Sequence, residues 1–346
     1  MRKLLNTLYV STEGAWLRKE GETVVVEVDG EKKAQLPLHH LQSIVCIGRV
    51  LISPPLMGHC TERGMSISYL GPYGKFLARV EGPISGNVLL RREQYRRTDN
   101  PEACAKIVRY FLIGKTHNQR NVLRRALRDH SETMSAEANK ALDIAQRRLT
   151  HIAENLFHEN RVDGLRGLEG EAAQVYFSVF NHLIRANADF FIFAGRNRRP
   201  PRDAINAILS LLYTLLTHDC RSALETVGLD PAVGFLHRDR PGRPSLALDL
   251  AEEFRSALAD RLALSLINRK QLNSKDFKIL ENGAVIMTDD ARKTLLKAYQ
   301  ERKQEKLRHP YLEEECELGL VPLLQAQLLA RHLRGDMDGY PPFLWK

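Results

Sequence analysis

One change of hydrophobic period, near residue 82 of the 346-residue chain, limits the possible fold more than any other feature. Before it, from Leu4 to Val80, short β-rich runs (TLYVS, AWLRK, TVVVEV, SIVCIG, SISYL, FLARV) are separated by turn signals such as Glu20-Gly21 and Asp29-Gly30. One helix is expected among them, from about Pro54 to Arg63, with Ser53 as cap, proline in the first turn and Gly64 as its end. After it, apolar residues recur at helical spacing, as in Leu250, Phe254, Leu258 and Leu262. The expected fold is therefore α+β: a small β-rich domain over 1–82, a linker at 83–87, and an all-helical domain over 88–346. No repeat or low-complexity tract interrupts either part.

With 43% hydrophobic residues the chain can bury more than one core, which excludes a disordered chain. Five scattered cysteines (46, 60, 104, 220 and 316) form no CxxC pair, so neither a zinc ribbon nor a disulfide framework is expected. A reducing cytoplasm suits them, and the opening MRKLLNTLYVSTEG has no long apolar stretch of a signal peptide. The most apolar helical run, Ala207 to Leu216, falls far short of the roughly 20 residues that span a bilayer, so no membrane association is expected.

The net charge of +9 is not evenly spread. Gly86 to His130 holds eleven Lys/Arg against four Asp/Glu, and Arg292 to His309 holds seven against two. Guanidinium groups pair with phosphates and stack on bases, so the mix of Tyr95, Arg96, Arg97, Arg109, Tyr110, Arg124, Arg125 and Arg128 points toward nucleic acid. Arg91, Arg92, Arg96, Arg124, Arg125, Arg128, Arg198 and Arg199 are the candidate DNA contacts. The competing reading is that such runs are solvated helix faces.

Candidate chemistry lies in three blocks. In the first, Asp163 to Ala173 open a helix on which Ala173, Tyr176 and Phe180 follow Glu169 by 4, 7 and 11 positions, so Glu169 shares a face with core residues. A carboxylate beside apolar surface requires a compensating cation or donors. Gly167 and Gly170 remove side chains on either side of it, and Glu171, about 200° further round the helix, points outward. In the second, Gly234-Phe235-Leu236-His237 leads through a loop to a helix capped by Ser245, where Asp249, Glu252 and Glu253 lie on neighbouring strips opposite the leucines and can act together. In the third, Arg196, Arg198, Arg199 and Arg202 precede an apolar helix with Asp203 as its cap. Two carboxylates and an imidazole suit Mg²⁺ or Mn²⁺. Acids in a first helical turn are also ordinary dipole partners, and that reading stays open.

Taken together, RGLEGEAAQVYF, GRNRRPPRDAINAILSLLYTLL and GFLHRDRPGRPSLALDLAEEFR resemble the three signature blocks of the CRISPR-adaptation integrase family, the first of the CRISPR-associated proteins. The likeness runs along the whole chain, and the closing Tyr340-Pro341-Pro342-Phe343-Leu344-Trp345 resembles the type I-C branch. It implies an endonuclease and integrase that joins the 3′-hydroxyl ends of captured DNA fragments to a CRISPR array by transesterification. By motif position Glu169, His237 and Glu252 are then the metal ligands, and Asp249 an accessory catalytic acid. Asp249 replaces Glu252 if the helix is rotated by a fraction of a turn, and the adjacent Glu253 keeps the third ligand open. The partners implied are double-stranded DNA, a second copy of the chain paired through the β domain, the small ferredoxin-like second adaptation protein, and a helper nuclease. A plain metal-dependent nuclease and a non-catalytic DNA-binding scaffold are the competing functions.

Overall fold

The computed structural model describes residues 6–71, 76–80, 82, 88–197 and 200–345. The expected linker at 83–87 and the candidate contacts Arg198 and Arg199 lie outside them. By its contacts the chain divides into two compact units: Met1–Ser85 with Arg292–Glu305 and Glu317–Leu320, and Gly86–Ala291 with Lys306–Cys316 and Val321–Lys346. Two segments that the sequence reading assigns to the helical domain thus group with the β-rich one.

The first unit holds strands β1 (Asn6–Val10), β2 (Trp16–Glu20), β3 (Thr23–Val28), β4 (Glu31–Pro37), β5 (Leu41–Ile47), β6 (Leu51–Ile52), β7 (Ser66–Leu70) and β8 (Phe76–Val80), with helix α1 (Pro54–Glu62). They form two four-stranded sheets, ordered β1-β5-β7-β8 and β4-β3-β2-β6. The β3/β4 hairpin turns on Asp29 and Gly30, both at positive φ (53° and 78°), the geometry whose twist matches the flanking strands. One core joins both sheets and α1, with Leu17, Val24, Ile44, Leu56, Cys60 and Ile67 fully buried. Strands β4 and β6 were not legible in the sequence, because EKKAQLP is charged like an edge strand and LI is two residues long. Ser53 occupies the cap position of α1 in extended conformation, but its hydroxyl makes no capping bond.

The second unit is built on helices α2 (Val88–Asp99), α3 (Pro101–His130), α4 (Ala136–His158), α5 (Val162–Ser178), α6 (Ala204–Thr226), α7 (Ser245–Phe254) and α8 (Arg261–Asn268). A wider π turn, Arg255–Asp260, links α7 to α8, so Leu250, Phe254, Leu258 and Leu262 all remain buried along one path. It is mostly helical rather than all-helical. Short antiparallel pairs form between β9 (Phe277–Ile279) and β10 (Val285–Met287), and between β11 (Lys306–Arg308) and β12 (Glu315–Glu317). Strands of three residues are too short for periodicity to register. Helix α9 (Asp289–Gln304) falls mostly in the first unit, and α10 (Val321–Arg334) in the second. The five cysteines are buried thiols, and no helix among the described residues is long and apolar enough to cross a membrane.

Candidate active site

Helix α3 carries Asn100 as cap, its side chain accepting from the Glu102 and Ala103 N–H groups, and runs 30 residues through the centre of its unit. Helix α7 packs along it, and the approach is close because residue 114 is glycine. A Cβ there would stand 3.1 Å from both Glu253 Cγ and Pro342 Cβ. Asn118, one turn on, donates to the Glu253 carbonyl at 2.7 Å and fixes the register between the two helices.

The loop that carries His237 is folded onto α7 by a single carboxylate. Asp249 is fully buried, and it accepts from the backbone N–H groups of Phe235 (2.6 Å), Leu236 (3.0 Å) and His237 (3.0 Å) and pairs with His237 Nδ1 at 2.6 Å. Gly234 permits this wrap, since a Cβ would come within 2.7 Å of Ser245 Cβ and 2.9 Å of Asp249 Oδ2. Ser245 is the first residue of the helix and not its cap; its hydroxyl donates instead to the Arg238 carbonyl at 3.2 Å. Arg166 of α5 reaches over and donates twice to the Leu236 carbonyl, at 3.0 and 2.9 Å. Gln94 of α2 holds the preceding turn through the Asp230 and Val233 carbonyls.

With the loop so held, His237 Nε2 lies 3.9 Å from Glu252 Oε1. Glu252 is buried, its Oε1 is 2.6 Å from Arg255 Nη1, and its Oε2 is 2.9 Å from Lys115 Nζ. Lys115 also pairs with Glu169 Oε1 on α5. Burial pushes the Glu252 carboxyl up, but the cationic Arg255 and Lys115 and the neighbouring His237 outweigh it and hold the pKa at about 2, so Glu252 is an anion at neutral pH. Burial likewise pulls Lys115 down, yet Glu252 and Glu169 more than restore it, and its pKa is raised. Glu169 is the most open member, with 29% of its side chain exposed. Around Gly167 and Gly170 an added Cβ would meet nothing within 4 Å, so the flanks of Glu169 are clear of protein. Glu171 turns away to pair with Arg148 at 2.7 Å. A cleft of about 340 Å³, bordered by Cys104, Asp163, Arg166, Gly234 and Arg238, opens beside His237.

The three residues read as ligands therefore share one neighbourhood, Glu169 and Glu252 each paired with the Lys115 ammonium and His237 lying 3.9 Å from Glu252. They do not form a finished cage: among the described residues no three His, Cys, Asp or Glu side chains stand close enough to hold an ion together, and Lys115 lies between the two glutamates. The chemistry of the set nevertheless suits a hard divalent cation, with carboxylate oxygens and an imidazole nitrogen. Glu252 Oε2, close as it is to the ammonium, is also a buried acceptor that receives no well-directed hydrogen bond.

Glu253 does not join this group, contrary to the expectation that the three acids of α7 act together. It has a separate set of partners, accepting from the Tyr340 hydroxyl (2.6 Å), the Phe343 N–H (2.6 Å) and the Gln325 amide (3.1 Å). Burial raises its carboxyl to about 8 despite these donors. The expected opposition between acids and leucines fails because α7 is enclosed on all sides, with Asp249, Glu252 and Glu253 as buried as Leu246 and Leu250. Asp249 spends both oxygens on the loop, which leaves Glu252 as the carboxylate of α7 that shares Lys115 with Glu169.

Of the candidate DNA contacts, Arg92, Arg96, Arg124, Arg125 and Arg128 are exposed and Arg91 half-buried. Arg125 and Arg128 both pair with Asp129, and Arg125 lies over the Trp345 ring, 5.4 Å from its centre. Arg196 turns inward, bonding the Asn197 carbonyl at 2.9 Å and covering the Tyr213 ring, while Asp203 caps α6 as expected. The sequence reading missed Lys115, Arg166 and Arg255. Arg166 and Arg255 stand three residues from Glu169 and Glu252, a helical spacing that could have marked them, whereas Lys115 was counted only as one charge in a basic run.

Known proteins resemble this chain along most of its length. The family model described as CRISPR associated protein Cas1 matches residues 8–301. A protein of Rhodospirillum rubrum named CRISPR-associated endonuclease Cas1 2 is 59% identical over 347 residues, covering all of both chains. One of Chlorobaculum tepidum, CRISPR-associated endonuclease Cas1 1, is 54% identical over 346 residues, again covering both completely. Among solved structures, a CAS1 protein from Thermotoga maritima superposes with a TM-score of 0.80 at 23% identity, covering 95% of this chain and 97% of that one. A casposase bound to integration product does so with a TM-score of 0.83 at 22% identity, covering 98% and 94%. A chain that this family model matches over residues 8–301, and that is 59% identical along its whole length to a protein of that name, belongs to the Cas1 family of CRISPR-associated proteins.

Proposed function

We propose that the chain is a divalent-metal-dependent DNA endonuclease and integrase of CRISPR adaptation. The convergence of Glu169, His237 and Glu252 from separate elements carries this reading. It is supported by relatives named as CRISPR-associated endonucleases and by likeness in fold to a casposase bound to integration product.

In this reading Glu169, His237 and Glu252 hold Mg²⁺ or Mn²⁺, which would supply Lewis-acid polarisation of the scissile phosphate and offset the charge on the departing oxygen. Asp249 accepts from the proton-bearing Nδ1 of His237, which leaves the Nε2 lone pair free to bind an ion. Arg255 keeps Glu252 ionised and fixes its rotamer. The attacking 3′-hydroxyl oxygen forms a new P–O bond as the array strand's P–O3′ bond breaks, so bond number is conserved and no nucleotide triphosphate is consumed. Water in place of that hydroxyl gives strand cleavage at the same site.

DNA is the substrate of both reactions, and the exposed arginines of α2 and α3 are its proposed track. The proposed assembly is a homodimer joined through the β-rich unit, working with the small second adaptation protein. A solved Cas6-RT-Cas1–Cas2 complex, one chain of which shares this fold, supports that partner. A helper nuclease is proposed from a Cas4/Cas1 fusion protein of Geobacter sulfurreducens, 33% identical over 343 residues, 97% of this chain and 60% of the fusion.

The test is joining of a short duplex to a supercoiled array plasmid by the purified chain, its small partner and Mn²⁺ or Mg²⁺. Glu169→Ala and His237→Ala are expected to abolish joining while leaving DNA binding in place. Cleavage without joined product would favour a plain nuclease, and unaltered activity in both variants would favour the scaffold.

A further inference from the structure

Lys115 has no part in the mechanism above, yet it holds the centre of the site. Its side chain is 7% exposed, and its ammonium pairs with Glu169 of α5 and stands 2.9 Å from Glu252 Oε2 of α7. Lysine is almost never buried unless paired, and two carboxylates from different helices on one ammonium exceed what pairing requires. A compact cation on a flexible four-carbon stem thus fills the space that the proposed ligands would share.

The two ends of this residue are held differently. Its backbone is fixed to α7, through the close approach at Gly114 and the Asn118 bond to the Glu253 carbonyl. The ammonium is held by the two carboxylates themselves. Glu252 keeps Arg255 as a separate counter-charge, so the departure of Lys115 would not strand that carboxylate.

We propose that Lys115 is a resident counter-ion, which occupies the space between Glu169 and Glu252 in the metal-free protein and must withdraw when a divalent cation enters. The proposal rests on the metal-dependent reading of the site. Lys115 then competes with the ion, so that removing its charge tightens metal binding. A purely structural ion pair predicts the reverse, because losing the lysine would loosen both carboxylates and weaken any ion they hold.

Calorimetric titration of Mn²⁺ into the full chain, wild type against Lys115→Met and Lys115→Arg, separates these. The proposal expects about tenfold or tighter Mn²⁺ binding by Lys115→Met, since one unit charge within contact distance is removed, and no tightening by Lys115→Arg. In EDTA the Met variant should melt below wild type, and Mn²⁺ should raise its melting temperature by more than it raises that of wild type. Equal or weaker Mn²⁺ binding by Lys115→Met overturns the proposal. If neither protein binds Mn²⁺, the metal-dependent reading itself fails.

A measurement on the unaltered protein guards against a variant that does not fold. Reductive dimethylation of native protein, read at Lys115 by peptide mass spectrometry, should be slow in EDTA and at least several-fold faster in saturating Mn²⁺. Protection of Lys115 that persists in a protein shown by calorimetry to have bound Mn²⁺ overturns the proposal.

Discussion

Glutamine at position 252 and glutamine at position 253 should have opposite consequences, although the two glutamates are adjacent and equally buried. Glu252 is held ionised, at about 2, between Arg255 and Lys115. Glu252→Gln removes the anion and leaves two buried cations short of a partner, which costs about 3–5 kcal/mol for a broken buried pair. Glu253 is pushed up to about 8, so near pH 7 it is largely an uncharged acid, which accepts from the Tyr340 hydroxyl. The Gln amide is uncharged and of the same shape: its oxygen accepts from the Phe343 N–H and the Gln325 amide, and its NH₂ donates to the Tyr340 oxygen once that hydroxyl rotates away. Glu253→Gln should therefore change stability by only about 1 kcal/mol, the net worth of one neutral hydrogen bond. Glu253→Ala, by contrast, strips the Tyr340 hydroxyl and the Phe343 N–H of their acceptor and opens a cavity against Gly114 and Pro342, for a loss of about 3 kcal/mol or more. Urea unfolding of the three variants at pH 7 in EDTA measures all of this. A loss for Glu253→Gln as large as that for Glu252→Gln would mean that residue 253 is ionised in the fold, and would refute the assignment of opposite charge states.

Three further outcomes are expected. Asp260 accepts the Tyr213 hydroxyl at 2.6 Å, and burial raises its carboxyl from 3.8 to about 6. Its contribution to stability is thus fully present below about pH 4 and lost as pH rises through 6, on the order of 3 kcal/mol in all. Asp260→Asn should remove that slope in unfolding measured from pH 4 to 7, and an identical slope in both proteins would exclude the assignment. Asp249→Asn cannot accept from three backbone N–H groups and the His237 ring at once. It should cost about 2–3 kcal/mol of stability and lower the rate of strand joining at saturating DNA at least tenfold with DNA affinity unchanged, as followed by urea unfolding, joining assays and band shift. Reversing Arg124 and Arg128 to Glu, while sparing Arg125 because it lies over Trp345, should flatten the dependence of DNA affinity on salt by about 0.9 in logarithmic slope for each phosphate no longer neutralised. A slope equal to that of wild type would place the DNA path elsewhere.

The sequence by itself determined the order of parts and marked the residues that could carry chemistry. A change in hydrophobic period separates the β runs from the helical region, and that property is local. The Asp29-Gly30 turn was legible because those residues tolerate positive φ, and the Asp203 cap because a short carboxylate can reach the Asn206 N–H. Glu169, His237 and the acids of α7 stood out because such residue types beside apolar stripes are costly without a partner. What those side chains face was a tertiary matter. A helix exposed on one side separates acids from leucines by angle alone, but α7 is enclosed, so neighbours on α3, in the His237 loop and in the C-terminal segment sorted its three acids into separate environments. Asp249 went to the loop, Glu252 to Lys115 and Arg255, and Glu253 to Tyr340 and Phe343. Lys115 shows the same limit from the other side: 54 residues separate it from Glu169, and no local pattern distinguishes a lysine bound for a buried pair from one bound for solvent. Charge state and partnership depend on the dielectric and the counter-charges that packing supplies, and these exist only once the helices have met.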